Sequence, residues 1–515
     1  MIEYLDFHLP VLTIVVPLIV APLCVLVGSR HVAKLLALLA CWVTFGLSVW
    51  LIAKVGTVGK ISYFLGGWAP PYGIEYAIDP LNAFLMMFIS GMGAIVLLYS
   101  GPSLYDEVPK SKHYMFYSLY LLCMTGLMGM CATGDLFNVF VFLEISSLST
   151  YALISLGKTR RAPLAAFQYL IMGTIGATFL LIGIGLLYQM TGTLNMADIC
   201  VQLEHYRMAD EMVDGVQGPP RWEGSRTMLV AFAFLTVGLC IKMAVFPLHT
   251  WLPNSYTYAP SVVTCFVAAT ATKVSVYAFI RIVFGIFTPE FAFELLPLDT
   301  ALWSFSLVGI FVASIAAIYQ TNIKRRLAYS SIAQIGYMLL GISMANQDGL
   351  TAGIVHMFNH ALIKGGLFMV VGCFALRLGS VHIDDWRGAG KTMPWTSLAW
   401  AIGGLGLIGV PVTCGFISKW LLLTSAIEHE LYPVAALMLI SSLLAVIYVW
   451  QIVEVLYFSP PSDKAKKAKE APLIMLLTTY SVIGATVVFG VWTTWSAGLA
   501  CEAAEFLLNI KGGTP

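Results

Sequence analysis

The chain has 515 residues, 59% hydrophobic and 11% charged, with 28 Lys+Arg against 27 Asp+Glu and a mean hydropathy of +0.84. Soluble domains carry about 25% charged residues, so a soluble globular enzyme of this length is excluded and a polytopic membrane protein is implied. The near-neutral balance gives no reason to expect a nucleic-acid partner.

The opening MIEYLDFHLP holds Glu3 and Asp6 but no Lys or Arg, the wrong flank for a cleavable signal peptide. Its apolar run is therefore expected as a retained transmembrane helix. Hydropathy and helix breakers predict an all-α polytopic membrane fold with about 14 spans, at about 9–28, 33–55, 80–100, 114–132, 135–157, 163–190, 227–258, 261–287, 301–320, 327–344, 350–378, 395–425, 431–458 and 472–495. The seventh and twelfth are too long for one crossing and contain Pro247 and Pro411. Each is expected as a broken helix, which membranes tolerate only where protein or a water-filled cavity satisfies the freed backbone groups.

Between spans, residues 56–79 carry Gly66-Gly67, Pro70-Pro71 and alternating aromatics, the pattern of a short β-hairpin on the outer face. Residues 191–226 form a polar loop rich in acids (Asp198, Glu204, Asp210, Glu211, Asp214, Glu223), a solvated connector or a docking surface. The stretch MGTIGATFLLIGIGLL (172–187) spaces its glycines for helix packing. PSDKAKKAKE (461–470) sets topology or touches anionic lipid headgroups.

Fourteen spans put both termini on one side. The odd-to-even loops then hold 17 basic residues, among them Lys324, Arg325 and Arg326, against five on the other face: Lys60, Arg207, Arg221, Arg226 and Lys511. By the positive-inside rule the termini face away from the cytoplasm, in the inner (plasma) membrane.

The informative residues are ionisable groups near mid-span: Glu144, Lys242, Lys273, Lys364 and Lys419. Each costs about 2.5–3.5 kcal/mol at a helix centre even on a lenient scale, together on the order of the whole stability of a typical domain. Snorkelling or register-fixing ion pairs are the bland alternative. One carboxylate cannot neutralise four lysines, and desolvation with like-charge repulsion disfavours a buried ammonium. Such a group can lose and regain a proton, as a relay requires. A neighbouring carboxylate does the reverse, so moving Glu144 relative to Lys242 would switch proton holding to release.

His356, His360 and Lys364 follow at i, i+4 and i+8, along one slowly drifting helix face. Neutral imidazole donates and accepts, which suits proton transfer between fixed lysines. A metal is the rival for HxxxH, but no carboxylate or cysteine lies at ligand spacing nearby. His249, just past Pro247, either relays protons or caps freed carbonyls. No phosphate-binding loop, dinucleotide fingerprint or GxSxG occurs. The ten cysteines include no CxxC pair and sit largely in apolar runs, as at Cys41, Cys123, Cys240 and Cys265, so metal and disulfide frameworks have no support. No cofactor is expected on this chain, and any enzymatic activity would belong to an assembly.

Six stretches carry a resemblance: GDLFNVFVFLEISSLSTYALI (134–154), GLCIKMAVFPLHTWLPNSYTYAP (238–260), ATKVSVYAFIR (271–281), NIKRRLAYSSIAQIGYMLLGI (322–342), HMFNHALIKGGLFM (356–369) and GVPVTCGFISKW (409–420). In this order, from about IDPLNAF onwards, they resemble the antiporter-like proton-translocating subunits shared by Mrp sodium/proton antiporters, respiratory complex I and membrane-bound hydrogenases. The D subunit of Mrp antiporters and its hydrogenase-type counterparts look nearest. The resemblance implies an inverted repeat with one broken helix in each half. The expected division is 1–112, 113–287, 288–458 and 459–515: three N-terminal helices with the hairpin, two halves, then the basic loop, last helix and tail. It also implies Glu144 as the coupling carboxylate for Lys242, Lys273 as the central relay, His356, His360 and Lys364 on the hydrophilic axis, and Lys419 at the exit. Many complex I subunits carry glutamate at that last position. The long lateral helix of the family's largest members has no counterpart in the letters after the fourteenth span. The function so implied is proton translocation within a multisubunit cation/proton antiporter, with sodium left open, or within an electron-transfer-driven complex such as an NADH dehydrogenase or hydrogenase. Either role implies other membrane subunits as partners. A stand-alone solute transporter is a weaker rival.

Overall fold

The computed structural model describes residues 2–208 and 225–508. Arg221, Lys511, Asp210, Glu211, Asp214 and Glu223, and the side chain of Arg207, lie outside what it describes. After a six-residue helix at Ile2–Phe7 come two long helices, α1 (Leu9–Val27) and α2 (Arg30–Val58), followed by the antiparallel strands β1 (Ile61–Phe64) and β2 (Glu75–Ile78), in the register Ile61↔Ile78. The hairpin expected at 56–79 is thus present. Next come α3 (Pro80–Glu107), α4 (His113–Ala132), α5 (Leu136–Ser155), α6 (Ala162–Thr191) and α7 (Met196–Met208). After them run α8 (Arg226–Met243), α9 (Trp251–Tyr258) and α10 (Ser261–Ile280). The second part of the chain forms α11 (Leu298–Ile318), α12 (Ile323–Ser343), α13 (Gln347–Leu378), α14 (Pro394–Ile408), α15 (Cys414–Glu428), α16 (Tyr432–Tyr457), α17 (Leu473–Val491) and α18 (Thr494–Leu507).

Among the described residues, twelve helices are long and apolar enough to cross a membrane. Two further expected spans complete the count of fourteen. α12 has the length but carries Arg326, Gln334 and a run of hydroxyls. α14 and α15, 15 residues each, are the two pieces of the broken twelfth span. The pieces of the seventh are α8 and α9.

Loop contacts agree with this alternation. Bridges tie Tyr76 to Thr133 and Asp135 to Asn195, so the hairpin and two even-to-odd loops share one end. Asn322 pairs with His382, and the backbone N–H of Gly388 donates to Val455 O at 2.9 Å, which gathers odd-to-even loops at the other.

Three differences stand out, the first two with local causes. The loop at 191–226 begins with α7, because Asn195 Oδ1 accepts from the backbone N–H groups of Ala197 and Asp198, both at 3.1 Å, and caps it. Lys324 and Arg326, expected in a loop, are buried at 5% and 3% exposure in the first turn of α12. There Lys324 donates to Ala259 O, while Arg326 donates to Ile318 O and Gln320 O at the end of α11 and to Tyr448 O. Carbonyls at a helix C-terminus lack partners within the helix and attract cations. The third is α18, a 14-residue helix after the last span, which packs on α3 and α13.

Helices α3, α4, α10 and α13 form the interior pillars, with 94% of the central stretch of α10 inside the protein. α1, α2, α16 and α17 form the rim. Pairings recur along the chain. α4 packs on α5 and α10, α5 on α6, and α6 on both pieces of the first broken helix. Likewise α11 packs on α12 and α16, α12 on α13, and α13 on both pieces of the second.

Candidate functional site

At the first break, α8 stops at Ala244 in the left-handed region (φ 61°). The freed carbonyls are taken up locally, by the Val245 N–H on Cys240 O and the Trp251 indole on Ile241 O, 2.9 Å away. Lys242 lies in this last turn, where the partial negative charge of the helix end favours a cation. Its ammonium donates to Ser147 Oγ (2.9 Å) and Tyr151 Oη (3.5 Å) on α5 and stands 3.7 Å from Glu144 Oε1. The lysine side chain is 4% exposed and the glutamate 25%. Tyr169 of α6 stacks on Trp251 at 3.9 Å and meets Tyr151 edge-on, closing this corner.

A small cavity of about 20 Å³ is lined by Lys242, by the hydroxyls of Ser146, Ser147, Thr150, Thr272 and Ser275, and by the apolar Leu127, Met130 and Leu143, room for a water among hydroxyl partners. Lys273, the next residue after Thr272, is 2% exposed in mid-helix, and its ammonium donates to Ala268 O and to Thr272 Oγ1. It lies within electrostatic reach of His356, His360 and Lys364.

On α13 the two imidazoles are parallel, with centroids 6.2 Å apart. His356 Nδ1 bonds Ser418 Oγ at 2.9 Å, while His356 Nε2 and both nitrogens of His360 are buried without hydrogen-bond partners. Lys364, one turn on, donates to Leu327 O at 2.9 Å and to Ser330 Oγ on α12.

At the second break α14 ends at Gly409, whose φ of 90° favours glycine. Lys419 of α15 reaches back to the freed carbonyls, donating to Ile408 O (2.8 Å) and Leu407 O (3.5 Å), and to Ser442 Oγ of α16 (3.3 Å).

The structure therefore brings together Glu144 with Lys242, and Lys273 with the His356, His360 and Lys364 stripe, with Lys419 beyond Ser418 and Tyr337. His249 stands apart: its ring stacks on Phe246 and faces Tyr329, and its Nδ1 is buried without a hydrogen-bond partner. Sequence reasoning did not single out the hydroxyl partners Ser147, Tyr151, Thr272, Ser330, Ser418 and Ser442. Their one signal was a run of Ser, Thr and Tyr inside apolar spans, as in EISSLSTY and AYSSIAQIGY. Chemically, the arrangement is a buried row of amines and imidazoles joined by hydroxyls, able to hold and pass protons. Among the described residues no His/Cys/Asp/Glu cluster could hold a metal ion.

Comparison with known proteins gives this geometry a family. The chain is 40% identical, over 478 residues and 90% of both chains, to a protein of Desulforudis audaxviator described as NADH-quinone oxidoreductase subunit N. It is 28% identical, over 94% of both chains, to the D subunit of a sodium/proton antiporter of Alkalihalophilus pseudofirmus. A subunit in the solved structure of an archaeal respiratory complex, the membrane-bound sulfane sulfur reductase, superposes with a TM-score of 0.84 at 30% identity, over 97% of this chain and 98% of that one. The profile of the NADH:quinone oxidoreductase/Mrp antiporter transmembrane family matches residues 133–445, and this chain is a multi-pass, antiporter-like member of that family.

Proposed function

We propose that the chain is a proton-translocating subunit of a multisubunit membrane complex. In this reading a proton reaches Lys242 under the control of Glu144, crosses the hydroxyl-lined cavity to Lys273, passes along His360 and His356, with Lys364 biasing the stripe, and leaves through Lys419. The observation that carries it is the Lys242–Glu144 pair at the end of a broken helix, 3.7 Å apart and joined to the interior by Ser147. His249 is assigned an accessory relay role, supported by its unpaired Nδ1 beside the first break. Two halves, 113–287 and 288–458, belong to the same proposal, supported by the recurring helix pairings. So does an inner-membrane location with both termini away from the cytoplasm, supported by the basic asymmetry.

Two hosts fit. An Mrp-like antiporter, with this chain in the place of the D subunit, is supported by Lys419 at the exit and by 28% identity over nearly the whole length. An electron-transfer-driven complex is supported by 40% identity to an NADH-quinone oxidoreductase N subunit and by the likeness to an archaeal respiratory subunit. In both hosts the partners are other membrane subunits. Copurification decides between them: redox subunits with iron–sulfur motifs select the second, and small membrane subunits alone select the first. Lys242→Ala in the intact complex tests the route itself. Proton flux is expected to vanish with assembly unchanged, and normal flux would refute the assignment.

A further inference from the structure

The last transfer of this route lacks an obvious partner. Among the described residues Lys419 forms no ion pair with a carboxylate, unlike Lys242. Its ammonium is instead surrounded by the neutral acceptors Ile408 O and Ser442 Oγ and by one aromatic face, with Nζ 5.1 Å from the centre of the Tyr337 ring. That ring is 2% exposed and touches the imidazole of His356 at a centroid distance of 5.6 Å. Tyr337 therefore separates and contacts both ends of the final step.

Its hydroxyl is anchored as well. The Tyr337 and Ser441 hydroxyls are hydrogen-bonded, and Ser442 Oγ, which accepts from Lys419, lies 3.5 Å from the same Tyr337 oxygen. Three hydroxyls from α12 and α16 thus fix the angle of the ring relative to α15. Among the described residues, the titratable or charged groups facing this ammonium are Tyr337 from α12 and His356 from α13.

We propose that Tyr337 is the positioning residue of the exit step, its π-face holding the protonated Lys419 and its hydroxyl holding that face between Lys419 and His356. A ring quadrupole attracts an ammonium and not a neutral amine. When the N–H bond breaks, the proton passes to water on the exit side, the amine keeps the electron pair, and the ring's attraction ends. The amine is then free to take the next proton from the histidine side. A carboxylate would hold the proton through a full counter-charge, whereas a ring supplies a weaker hold that release can overcome.

This inference rests on the proposed exit through Lys419, so the test includes that residue. In the assembled complex, Tyr337→Phe keeps the face but loses its hydroxyl anchor, and its flux is expected to lie between those of wild type and Tyr337→Leu. Tyr337→Leu removes the face and should lower flux about tenfold. Mono-, di- and trifluorinated phenylalanine at the same position weaken the quadrupole at nearly constant shape. Flux should fall stepwise along that series with complex abundance and melting temperature unchanged, a response that a packing role would not produce. A flat series, or a Phe variant as impaired as Leu, overturns the proposal. If Lys419→Ala transports normally, the exit assignment itself fails; if it is inactive while the fluorinated series is flat, only the role of Tyr337 fails.

Discussion

The Lys242 ammonium faces Glu144 at 3.7 Å while donating to Ser147 at 2.9 Å, so it is held by a hydroxyl and biased by a carboxylate just beyond ordinary hydrogen-bond length. A small movement of either helix would tighten or break that bias. Glu144→Gln keeps size and polarity but removes the charge, and flux is expected to fall by about tenfold or more, equivalent to about 1.4 kcal/mol. Glu144→Asp, one methylene shorter, should retain an intermediate rate. Proton uptake by vesicles carrying equal amounts of complex measures both. Wild-type flux in Glu144→Gln would remove the carboxylate from the mechanism.

Lys242 also depends on how closely α8 approaches α6. Gly176 and Gly238 face each other, and a Cβ on Gly238 would come within 2.7 Å of Gly176 O and 2.9 Å of Leu180 N. Both are backbone atoms that cannot rotate aside. Gly238→Ala must push the helices apart one turn before the lysine, at about 1–3 kcal/mol. The expected outcome is a lower melting temperature together with reduced flux per assembled complex. Gly185→Ala, where no atom lies within 4 Å of the added Cβ, should change neither. Equal behaviour of the two variants would show that close approach is not what the glycines provide.

The spans, the two breaks and the glycine stripe were legible because each is a local pattern: an apolar run, a proline within it, small residues at helix spacing. Lys242 and Lys273 were legible because the bilayer makes a mid-span charge expensive. What could not be read is contact between distant segments. Lys364 meets Ser330, Lys419 meets Ser442, and Arg326 reaches the carbonyl of Tyr448. Each joins two helices whose relative rotation hydropathy does not encode. Lys324 and Arg326 misled for the same reason, since a basic cluster at a span end suggests a loop until the neighbouring helix end that needs capping is known.

One pH-dependent contact lies outside the membrane. Asp385, in the segment joining α13 and α14, accepts from Ser380 and from Lys464, whose Nζ is 3.0 Å from Oδ2. The Ser380 hydrogen bond first, and Lys464 second, hold its carboxyl below the usual aspartate range. A depressed carboxyl stabilises the folded state above the unfolded pKa of about 4, and that contribution is lost as pH falls through the lower folded value. At 30% side-chain exposure the contact is worth at most about 1 kcal/mol. Hydrogen exchange of the basic segment Asp463–Lys467 is therefore expected to be faster in Asp385→Asn than in wild type at neutral pH. The difference should disappear in strong acid. A difference that persists there would assign the effect to shape rather than charge.

The parallel imidazoles of α13 offer the sharpest separation of relay from packing. His360 is 1% exposed, with neither ring nitrogen hydrogen-bonded, between His356 at 6.2 Å and the electrostatic reach of Lys273 and Lys364. A buried polar group without a partner costs about 1–3 kcal/mol. His360→Leu fills a similar volume without that cost and is expected to melt at the same temperature as wild type or higher. If the imidazole carries protons, the same variant loses most of its flux, so stability and activity move in opposite directions. His360→Gln, which can accept and donate but has no titratable nitrogen, should not restore flux. The measurement is melting temperature and proton flux on the same preparation, and a leucine variant that is both stable and fully active would leave the stripe as packing alone.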